Sequence, residues 1–263
     1  MKAFSLQETA LVSVLDGYDE IAIAVSGGVD SMVLAYIAHR YSCTKAVMLH
    51  AISPAVPQAA TARVKRYAGS EGWNVTWLDA GEFEDPNYRA NPVNRCYYCK
   101  SNLYDRIRGA TSSQIASGTN TDDLGDFRPG LKAASERGVV HPYVEAGLGK
   151  ADIYRLAEGY RLTDLAELPA QPCLASRVET GISIQPDDLA FIEMMEGRAA
   201  SFAPVSTDIR CRTTLAGIVI EVGAEFPQPR REALAIDAAK LCAAYGRIFV
   251  GVRDYRRGSA FLR

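Results

Sequence analysis

Short apolar runs alternate with segments of helical spacing through the first two thirds of the chain. The runs are bounded by turn residues and predict strands at 20–25, 45–52, 74–80 and 113–118. Apolar residues that recur every three or four positions predict helices at 30–40, 58–71 and 99–109. Strands that alternate with helices favour a parallel sheet with helices on both faces. We therefore expect an α/β fold with a doubly wound, mainly parallel sheet.

The pattern changes in the last third of the chain. It predicts, in order, a helix at 186–200, strands at 206–212 and 216–222, a helix at 228–244 and a strand at 247–252. This mixture is typical of a small α+β domain. We expect residues 1–180 to form the larger domain and residues 181–263 the smaller one, which would bind substrate or form an oligomer.

Composition adds expectations about partners and location. The formal net charge is −2 and the pI is about 6.0, so no general attraction to nucleic acid or to an anionic membrane is built in. Polar residues interrupt the apolar run at the N-terminus, which favours an amphipathic helix over a signal peptide. No apolar stretch reaches the roughly 18 residues of a membrane span. We expect a cytoplasmic protein without a membrane partner.

The segment SGGVDS begins at Ser26 and lies between the first predicted strand and the first predicted helix. Gly27 and Gly28 let the backbone approach an anion, and free N–H groups at a helix start favour phosphate. Ser31 adds a second hydroxyl, and Asp30 beside phosphates requires a cation such as Mg²⁺. The alternative is a helix start that the side chain of Asp30 or Ser31 caps. The segment resembles the pyrophosphate loop of the N-type ATP pyrophosphatases, which split ATP into AMP and pyrophosphate.

A second loop, GTNTDD, follows the fourth predicted strand. Because the carboxyl ends of parallel strands meet at one edge of a sheet, we expect this loop beside the first. Gly118, Thr119 and Asn120 are candidate nucleotide contacts through backbone and amide groups. Three carboxylates follow within five positions: Asp122, Asp123 and Asp126. Either they are solvated turn formers or one of them holds the Mg²⁺ of a nucleotide, and we include Asp123 in the nucleotide site.

Six cysteines are too few for a disulfide scaffold in a chain of 263 residues. Cys96 and Cys99 lie close together in NRCYYCK, and Cys173 lies in a Pro-rich stretch. Taken alone, these three fit a redox pair, part of a zinc site or part of an iron–sulfur site. Cys211 is a candidate fourth thiolate, although it lies between two arginines on a predicted strand. Two others, in apolar segments, are predicted to be core residues: Cys43 and Cys242.

Five separated segments resemble, in order, the LarE family: SGGVDS, DPNYRANPVNRCYYCK, GTNTDDLGDFRPGLKAA, GLGKADIYRLAE and PAQPCLASRVETG. The resemblance covers residues from about 20 to 222. Members of this family make the thiocarboxylate nucleotide that becomes the nickel-pincer cofactor of lactate racemase. The resemblance implies that ATP adenylates a carboxylate of pyridinium-3,5-biscarboxylic acid mononucleotide and that sulfur then replaces oxygen.

The family uses two sulfur chemistries. Some members give up the sulfur of a lone cysteine at the position of Cys173 and leave dehydroalanine. Others combine it with an upstream pair to hold a 4Fe–4S cluster. Cys96, Cys99 and Cys173 match the second pattern, which leaves one iron without a protein ligand for a delivered sulfide. Sacrifice of the Cys173 sulfur, structural zinc and a redox disulfide are the alternatives.

The resemblance also implies a cationic site for the substrate. Ser176 and Arg177 follow the third cysteine closely. Arg210 and Arg212 alternate on one predicted strand, so they share a face that suits bidentate binding of a phosphate. A solvated strand edge is the alternative. Glu196 matches an acidic residue near the reaction centre of the family.

The implied partners are a small-molecule nucleotide, and sulfide or a sulfur-donor protein. A homo-oligomer is also implied, with a hexamer as one form.

Three rival functions differ in what they need. A tRNA 2-thiolation enzyme of the same superfamily needs a Lys/Arg-rich surface, which the near-neutral chain does not offer. An amide-forming synthetase needs ammonia and no grouped thiols, and a module that binds nucleotide without turnover needs only the glycines.

Overall fold

The computed structural model describes residues 6–125, 128–203 and 207–256. The chain divides into two compact units. One comprises Met1–Asp85 and Asn94–Gln171, and the other comprises Pro86–Val93 and Pro172–Arg263. The division falls earlier than the boundary that we placed at residue 180, and a short segment from the middle of the chain joins the C-terminal unit. None of the described helices combines the length and the apolar run that a membrane span requires.

A parallel sheet of four strands forms the centre of the N-terminal unit. The strands are β1 (Glu20–Ala24), β2 (Lys45–Ile52), β3 (Val75–Asp79) and β4 (Gln114–Ala116). Their order is β3-β2-β1-β4, and each neighbouring pair is parallel. The predicted α/β fold with a parallel sheet is confirmed for these residues.

Helices cover both faces of this sheet. The helices of this unit are α1 (Leu6–Leu15), α2 (Val29–Tyr41), α3 (Gln58–Glu71), α5 (Arg95–Ala110), α6 (Pro129–Glu136), α7 (Pro142–Glu145), α8 (Lys150–Gly159) and α9 (Thr163–Ala166). The short helix α4 (Pro86–Arg89) belongs to the C-terminal unit. Ile21 and Ile23 of β1 pack in one buried cluster with residues of α1, α2, α3 and α8. Ala22 packs in a second cluster with residues of α5 and α6. Since successive strand residues point to opposite faces, an apolar run such as this one requires a helix layer on each side.

The C-terminal unit contains a mixed sheet of three strands. These are β5 (Ile209–Thr214), β6 (Gly217–Val222) and β7 (Phe249–Asp254), with α10 (Pro186–Ala200) and α11 (Gln228–Ala244). β5 and β6 are antiparallel, and β6 and β7 are parallel. The predicted α+β mixture is present. The strand predicted at 206–212 corresponds to β5, and its first residue, 206, lies outside the described residues.

Asn91 attaches the short central segment to the rest of the C-terminal unit. The residue is fully buried and has a left-handed backbone, with φ of 52°. Its side-chain amide donates to the carbonyl groups of Glu179 and Ile182, at 2.9 Å each. The N–H of Gly181 donates to the Asn91 carbonyl, also at 2.9 Å. Residues far apart in the sequence therefore form one folded unit.

Candidate functional site

The segment SGGVDS, residues 26–31, connects β1 to α2 and is called the phosphate loop below. The N-cap residue of α2 is Gly28, and no side chain caps this helix. The alternative in which Asp30 or Ser31 caps the helix is therefore wrong. The first N–H groups of α2 and the positive end of its dipole remain suited to an anion.

Two glycines let other elements approach the phosphate loop. Gly27 has φ of +83°, and a Cβ there would lie 2.6 Å from the carbonyl oxygen of Ala60 in α3. A Cβ at Gly118, after β4, would lie 2.8 Å from the backbone nitrogen of Ser31. As we expected from the carboxyl ends of parallel strands, the loop after β4 lies against the phosphate loop.

The two serines fix the shape of the phosphate loop. The hydroxyl oxygens of Ser26 and Ser31 are 3.1 Å apart. The Ser31 hydroxyl donates to the Gly28 carbonyl and accepts from the Ser26 N–H, at 3.1 Å each. These bonds join the two ends of the loop, so its backbone donors are held in place before any anion binds.

Lys150, at the first position of α8, is a site residue that the sequence interpretation missed. Its Nζ donates to both carboxylate oxygens of Asp30 at 2.6 Å, and both side chains are about one third exposed, at 32% and 30%. Burial raises the pKa of Asp30, and the hydrogen bonds and charge of Lys150 oppose that rise. The Tyr143 hydroxyl donates to the Asp30 carbonyl at 3.0 Å. A cation and a carboxylate thus face each other beside the phosphate loop.

The acidic loop after β4 is ordered by its own carboxylates. Asp122 accepts from the backbone N–H of Lys150 at 2.7 Å. Asp123 accepts from the backbone N–H of Asn120 at 3.1 Å and pairs with Arg128 at 2.8 Å. Asn120 is only 2% exposed and accepts from the Asp122 N–H at 3.0 Å. One predicted carboxylate lies outside the described residues: Asp126.

A chain of polar groups leads inward from Thr119. Its hydroxyl oxygen lies 3.0 Å from that of Ser117, which lies 2.9 Å from Nδ1 of His141. Burial lowers the pKa of His141. Thr119 is therefore oriented by Ser117, which is itself held by His141. The contact of Thr119 with nucleotide stays a prediction.

His50 holds the backbone directly before the phosphate loop, at Val25. It is fully buried at the end of β2, with Nδ1 2.8 Å from the Val25 carbonyl and Nε2 2.9 Å from the Thr61 hydroxyl. Because a carbonyl can only accept, Nδ1 carries the hydrogen and Nε2 accepts from Thr61. Burial lowers the pKa of His50, and the Val25 carbonyl opposes this.

The three cysteines of the predicted cluster belong to different parts of the chain. Cys96 and Cys99 lie in the first two turns of α5, in the N-terminal unit, three positions apart on one face. Cys173 belongs to the C-terminal unit. No described cysteine is in a disulfide, and no group of three or more Cys, His, Asp or Glu side chains among the described residues could hold a metal ion.

Cysteine thiolates bind both iron–sulfur clusters and single zinc ions, but the two sites differ in ligand spacing. Each cysteine of a cubane cluster binds a different iron, so its ligands lie farther apart than those of zinc. Thiolates are the ligands of such a cluster, and the assignment of Cys96, Cys99 and Cys173 to it stays a prediction. Cys211 is fully buried, and burial raises the pKa of its thiol, so it behaves as a core residue. Cys242 is also buried, but Cys43 is exposed in the turn after α2, so its predicted core position is wrong.

Arg177 holds the turn in which Cys173 lies. A 3₁₀ helix, Leu174–Arg177, begins directly after Cys173. Nη1 of Arg177 donates to the carbonyl groups of Pro172 and Cys173, at 2.7 and 3.2 Å, and to the Ser176 hydroxyl at 3.0 Å. Its Nε and Nη2 donate to the two carboxylate oxygens of Glu196, at 2.9 and 3.1 Å. Arg177 and Glu196 therefore already serve to hold the Cys173 backbone, and their contact with substrate stays a prediction.

The two arginines of β5 differ in their surroundings. Arg212 is buried, and its Nε donates to Glu221 at 2.8 Å while its Nη1 donates to the Ser176 carbonyl at 2.8 Å. Arg210 is more accessible and lies 3.2 Å from Asp208, whose side chain is 52% exposed. Of the pair, Arg210 is the better candidate for an incoming phosphate.

Comparison with known proteins adds three relatives. A stretch of 175 residues, 65% of this chain, is 36% identical to the uncharacterized protein slr1717 of Synechocystis sp.. The chain spans about 65% of that relative's length. A stretch of 208 residues, 77% of this chain and 78% of the relative, is 27% identical to the uncharacterized protein MJ0830 of Methanocaldococcus jannaschii. No family model matches the chain.

The third relative has a named activity. A stretch of 238 residues, 88% of this chain and 83% of the relative, is 26% identical to the pyridinium-3,5-bisthiocarboxylic acid mononucleotide synthase of Lactiplantibacillus plantarum. That name describes the product class of the family that the sequence motifs resemble. The comparison therefore supports the resemblance, while the choice between the two sulfur chemistries stays a prediction.

Proposed function

We propose that this protein is an ATP-dependent sulfur transferase of the LarE type. It would convert a carboxylate of pyridinium-3,5-biscarboxylic acid mononucleotide into a thiocarboxylate, with AMP and pyrophosphate as the other products. The observation that carries the proposal is the uncapped helix start after β1, with Asp30 and Lys150 beside it. The similarity to a named mononucleotide synthase supports the substrate class.

In the first step, the substrate carboxylate attacks the α-phosphorus of ATP and pyrophosphate leaves. Backbone donors of the phosphate loop hold the phosphates as negative charge develops on the leaving group. Lys150 supplies positive charge at the same place, and Asp30 is the residue that would hold Mg²⁺. Gly118, Thr119, Asn120 and Asp123 would contact the nucleotide from the loop after β4.

In the second step, sulfide attacks the acyl carbon of the adenylate and AMP leaves. Cys96, Cys99 and Cys173 would hold a 4Fe–4S cluster, which when bound supplies an iron site for sulfide. Sulfide itself, or a sulfur-donor protein, would restore the sulfur after each turnover. The bonds from Arg177 to the Pro172 and Cys173 carbonyls orient this cysteine for its role.

A test of the first step uses pyrophosphate release with ATP and the carboxylate substrate. Lys150→Met and Asp30→Ala should each reduce the rate at least about tenfold, because the first removes a cation beside the phosphates and the second removes the ligand for Mg²⁺. Arg40→Met is a matched control, since this arginine pairs with Glu71 at the far end of α2. The fold should stay intact by circular dichroism. Wild-type rates in both site variants would contradict the assignment of the nucleotide site.

The reaction class has its own test. Protein purified without oxygen is incubated with ATP, substrate and sulfide, and the thiocarboxylate is measured by mass spectrometry. Tight, salt-sensitive binding of bulk tRNA without thiocarboxylate formation would favour a tRNA thiolation enzyme instead. Amide formation with ammonium would favour a synthetase.

A further inference from the structure

Arg63 of α3 is a buried cation whose charge has no carboxylate partner. The residue is only 8% exposed. Within the described part of the chain, no carboxylate lies within ion-pair distance of its guanidinium. The acidic side chain whose charge acts on Arg63, Asp164, is bound instead by Arg66 and Tyr67. Burying a cation without a counterion costs free energy, and a bound anion nearby would offset that cost.

The contacts of Arg63 lead directly to the phosphate loop. Its Nη1 donates to the Gly27 carbonyl at 2.6 Å. The contact is possible because α3 approaches the loop at Ala60, where the absent Cβ of Gly27 leaves room. Arg63 follows Ala60 by three positions and so lies on the same face of the helix.

A bond to the Gly27 carbonyl also fixes the N–H of Gly28. The two groups belong to one peptide unit, and in a trans peptide they point in opposite directions. The Gly28 N–H has only a long bond to the Ser26 hydroxyl, at 3.4 Å, so it remains available to a better acceptor. Donation by a cation to the carbonyl polarises the peptide and strengthens its N–H as a donor.

We propose that Arg63 is a positioning residue of the phosphate loop, which aims the Gly28 N–H at the bound phosphate. Gln171 holds Arg63 in place, because its Oε1 accepts from the same Nη1 at 3.2 Å. This inference rests on the proposed function, since it assumes that the loop binds the phosphates of ATP.

The test compares three ligands of the full-length protein by calorimetry: a non-hydrolysable ATP analogue, inorganic pyrophosphate and adenosine. Arg63→Met should weaken binding of the analogue and of pyrophosphate about tenfold, the effect of one charged hydrogen bond. Adenosine binding should not change, because the nucleoside does not touch the loop's phosphate donors. Arg63→Lys should recover part of the loss, since an ammonium can still donate to the Gly27 carbonyl.

Gln171 provides a second and milder test. Gln171→Ala should weaken pyrophosphate binding about threefold, as expected for one weak hydrogen bond. Gln171→Glu places a carboxylate beside Arg63 and should weaken pyrophosphate binding further, while adenosine binding stays unchanged in both variants. Arg40 provides the control, because it pairs with Glu71 at the far end of α2 and Arg40→Met should change none of these affinities. The two Gln171 variants keep Arg63 itself, so they test its positioning role even if Arg63→Met does not fold.

Two results would overturn the inference while leaving the proposed function intact. One is wild-type pyrophosphate affinity in both Arg63→Met and Gln171→Ala. The other is an equal loss for adenosine and pyrophosphate, which would mean that Arg63 only supports the fold. If the wild-type protein binds neither the ATP analogue nor pyrophosphate, the proposed function fails and the inference fails with it.

Discussion

Arg210 and Arg212 lie two positions apart on β5, yet their replacement should have different effects. Arg212→Ala should lower the free energy of unfolding by about 3 kcal/mol, because it breaks a buried ion pair with Glu221. The loss should stay near the low end of the usual range, since Arg253 still pairs with Glu221 at 2.9 Å. Denaturant unfolding measures this change.

Arg210→Ala should instead cost less than about 1 kcal/mol of stability, as expected for a partly exposed pair. If Arg210 binds the substrate phosphate, the variant should lose about 1.5–3 kcal/mol of substrate binding free energy. ATP affinity should be unchanged. Equal losses of stability in the two variants would contradict the difference in burial, and equal losses for ATP and substrate would exclude a substrate-specific role.

His50 should make stability depend on pH. Because burial lowers the pKa of His50, the unfolded chain takes up a proton at higher pH than the folded protein does. The contribution of His50 is therefore fully present above the ordinary histidine pKa of about 6.5 and is lost as the pH falls below it. We therefore expect the free energy of unfolding to decrease between pH 7 and pH 5 because of this residue.

His50→Gln removes the titrating group and should flatten this decrease. Part of the pH dependence should remain, because burial also lowers the pKa of His141. His39→Gln is the control, since His39 contacts only the carbonyl of Glu71 through an exposed bond. Identical pH profiles of wild type and His50→Gln in urea unfolding would contradict the prediction.

At the scale of the element, α5 carries the two cysteines that decide the sulfur chemistry. Cys96→Ala and Cys99→Ala should each lose iron and transfer activity together, because the loss of one of three thiolates makes a cluster labile. Wild type should turn over repeatedly when it is supplied with sulfide. Cys43→Ala, in the exposed turn after α2, is the matched control and should retain both iron and activity.

The sacrificial alternative predicts the opposite pattern. Both variants of α5 would then complete one turnover, and Cys173 would become dehydroalanine, lighter by the mass of hydrogen sulfide. Intact mass spectrometry after a single turnover distinguishes the two chemistries. Dehydroalanine at residue 173 in the wild type would exclude the cluster-mediated route.

The sequence predicted those elements whose apolar pattern was strong. The runs around Ile21, Met48 and Ile115 were correctly predicted as strands, because parallel strands buried on both faces leave a continuous apolar signal. α6 and α8 were not predicted as helices, and both are short, at 8 and 10 residues. Their position depends on packing against other elements, which no short segment of sequence reveals.

The candidate site, like the fold, was predicted only in part from the sequence. The phosphate loop was visible because its glycines, serines and aspartate are contiguous. Lys150 and Arg63 were missed because their partners, Asp30 and Gly27, lie 120 and 36 positions away in the chain. Single charged residues on predicted helices look like solvated surface until the fold brings their partners to them.

For the whole molecule, Asn91 should be among the residues most sensitive to replacement. Asn91→Ala should lower the free energy of unfolding by about 2 kcal/mol, because the partly buried carbonyl groups of Glu179 and Ile182 lose their donor. Asn91→Gly loses the same bonds but relieves the left-handed backbone, so it should be about 1 kcal/mol less destabilising. Wild-type stability of Asn91→Gly in denaturant unfolding would show that these bonds are not important.

The insertion of Pro86–Val93 into the C-terminal unit also affects how the protein emerges during synthesis. Ile182 is made 91 residues after Asn91, which at about 5–20 residues per second is a delay of roughly 5–18 s. Throughout that interval the nascent segment lacks the partners that later bury Tyr88, which is 1% exposed in the finished fold. While the ribosome adds these residues, the waiting segment exposes an aromatic side chain and unpaired backbone groups of the kind that chaperones bind.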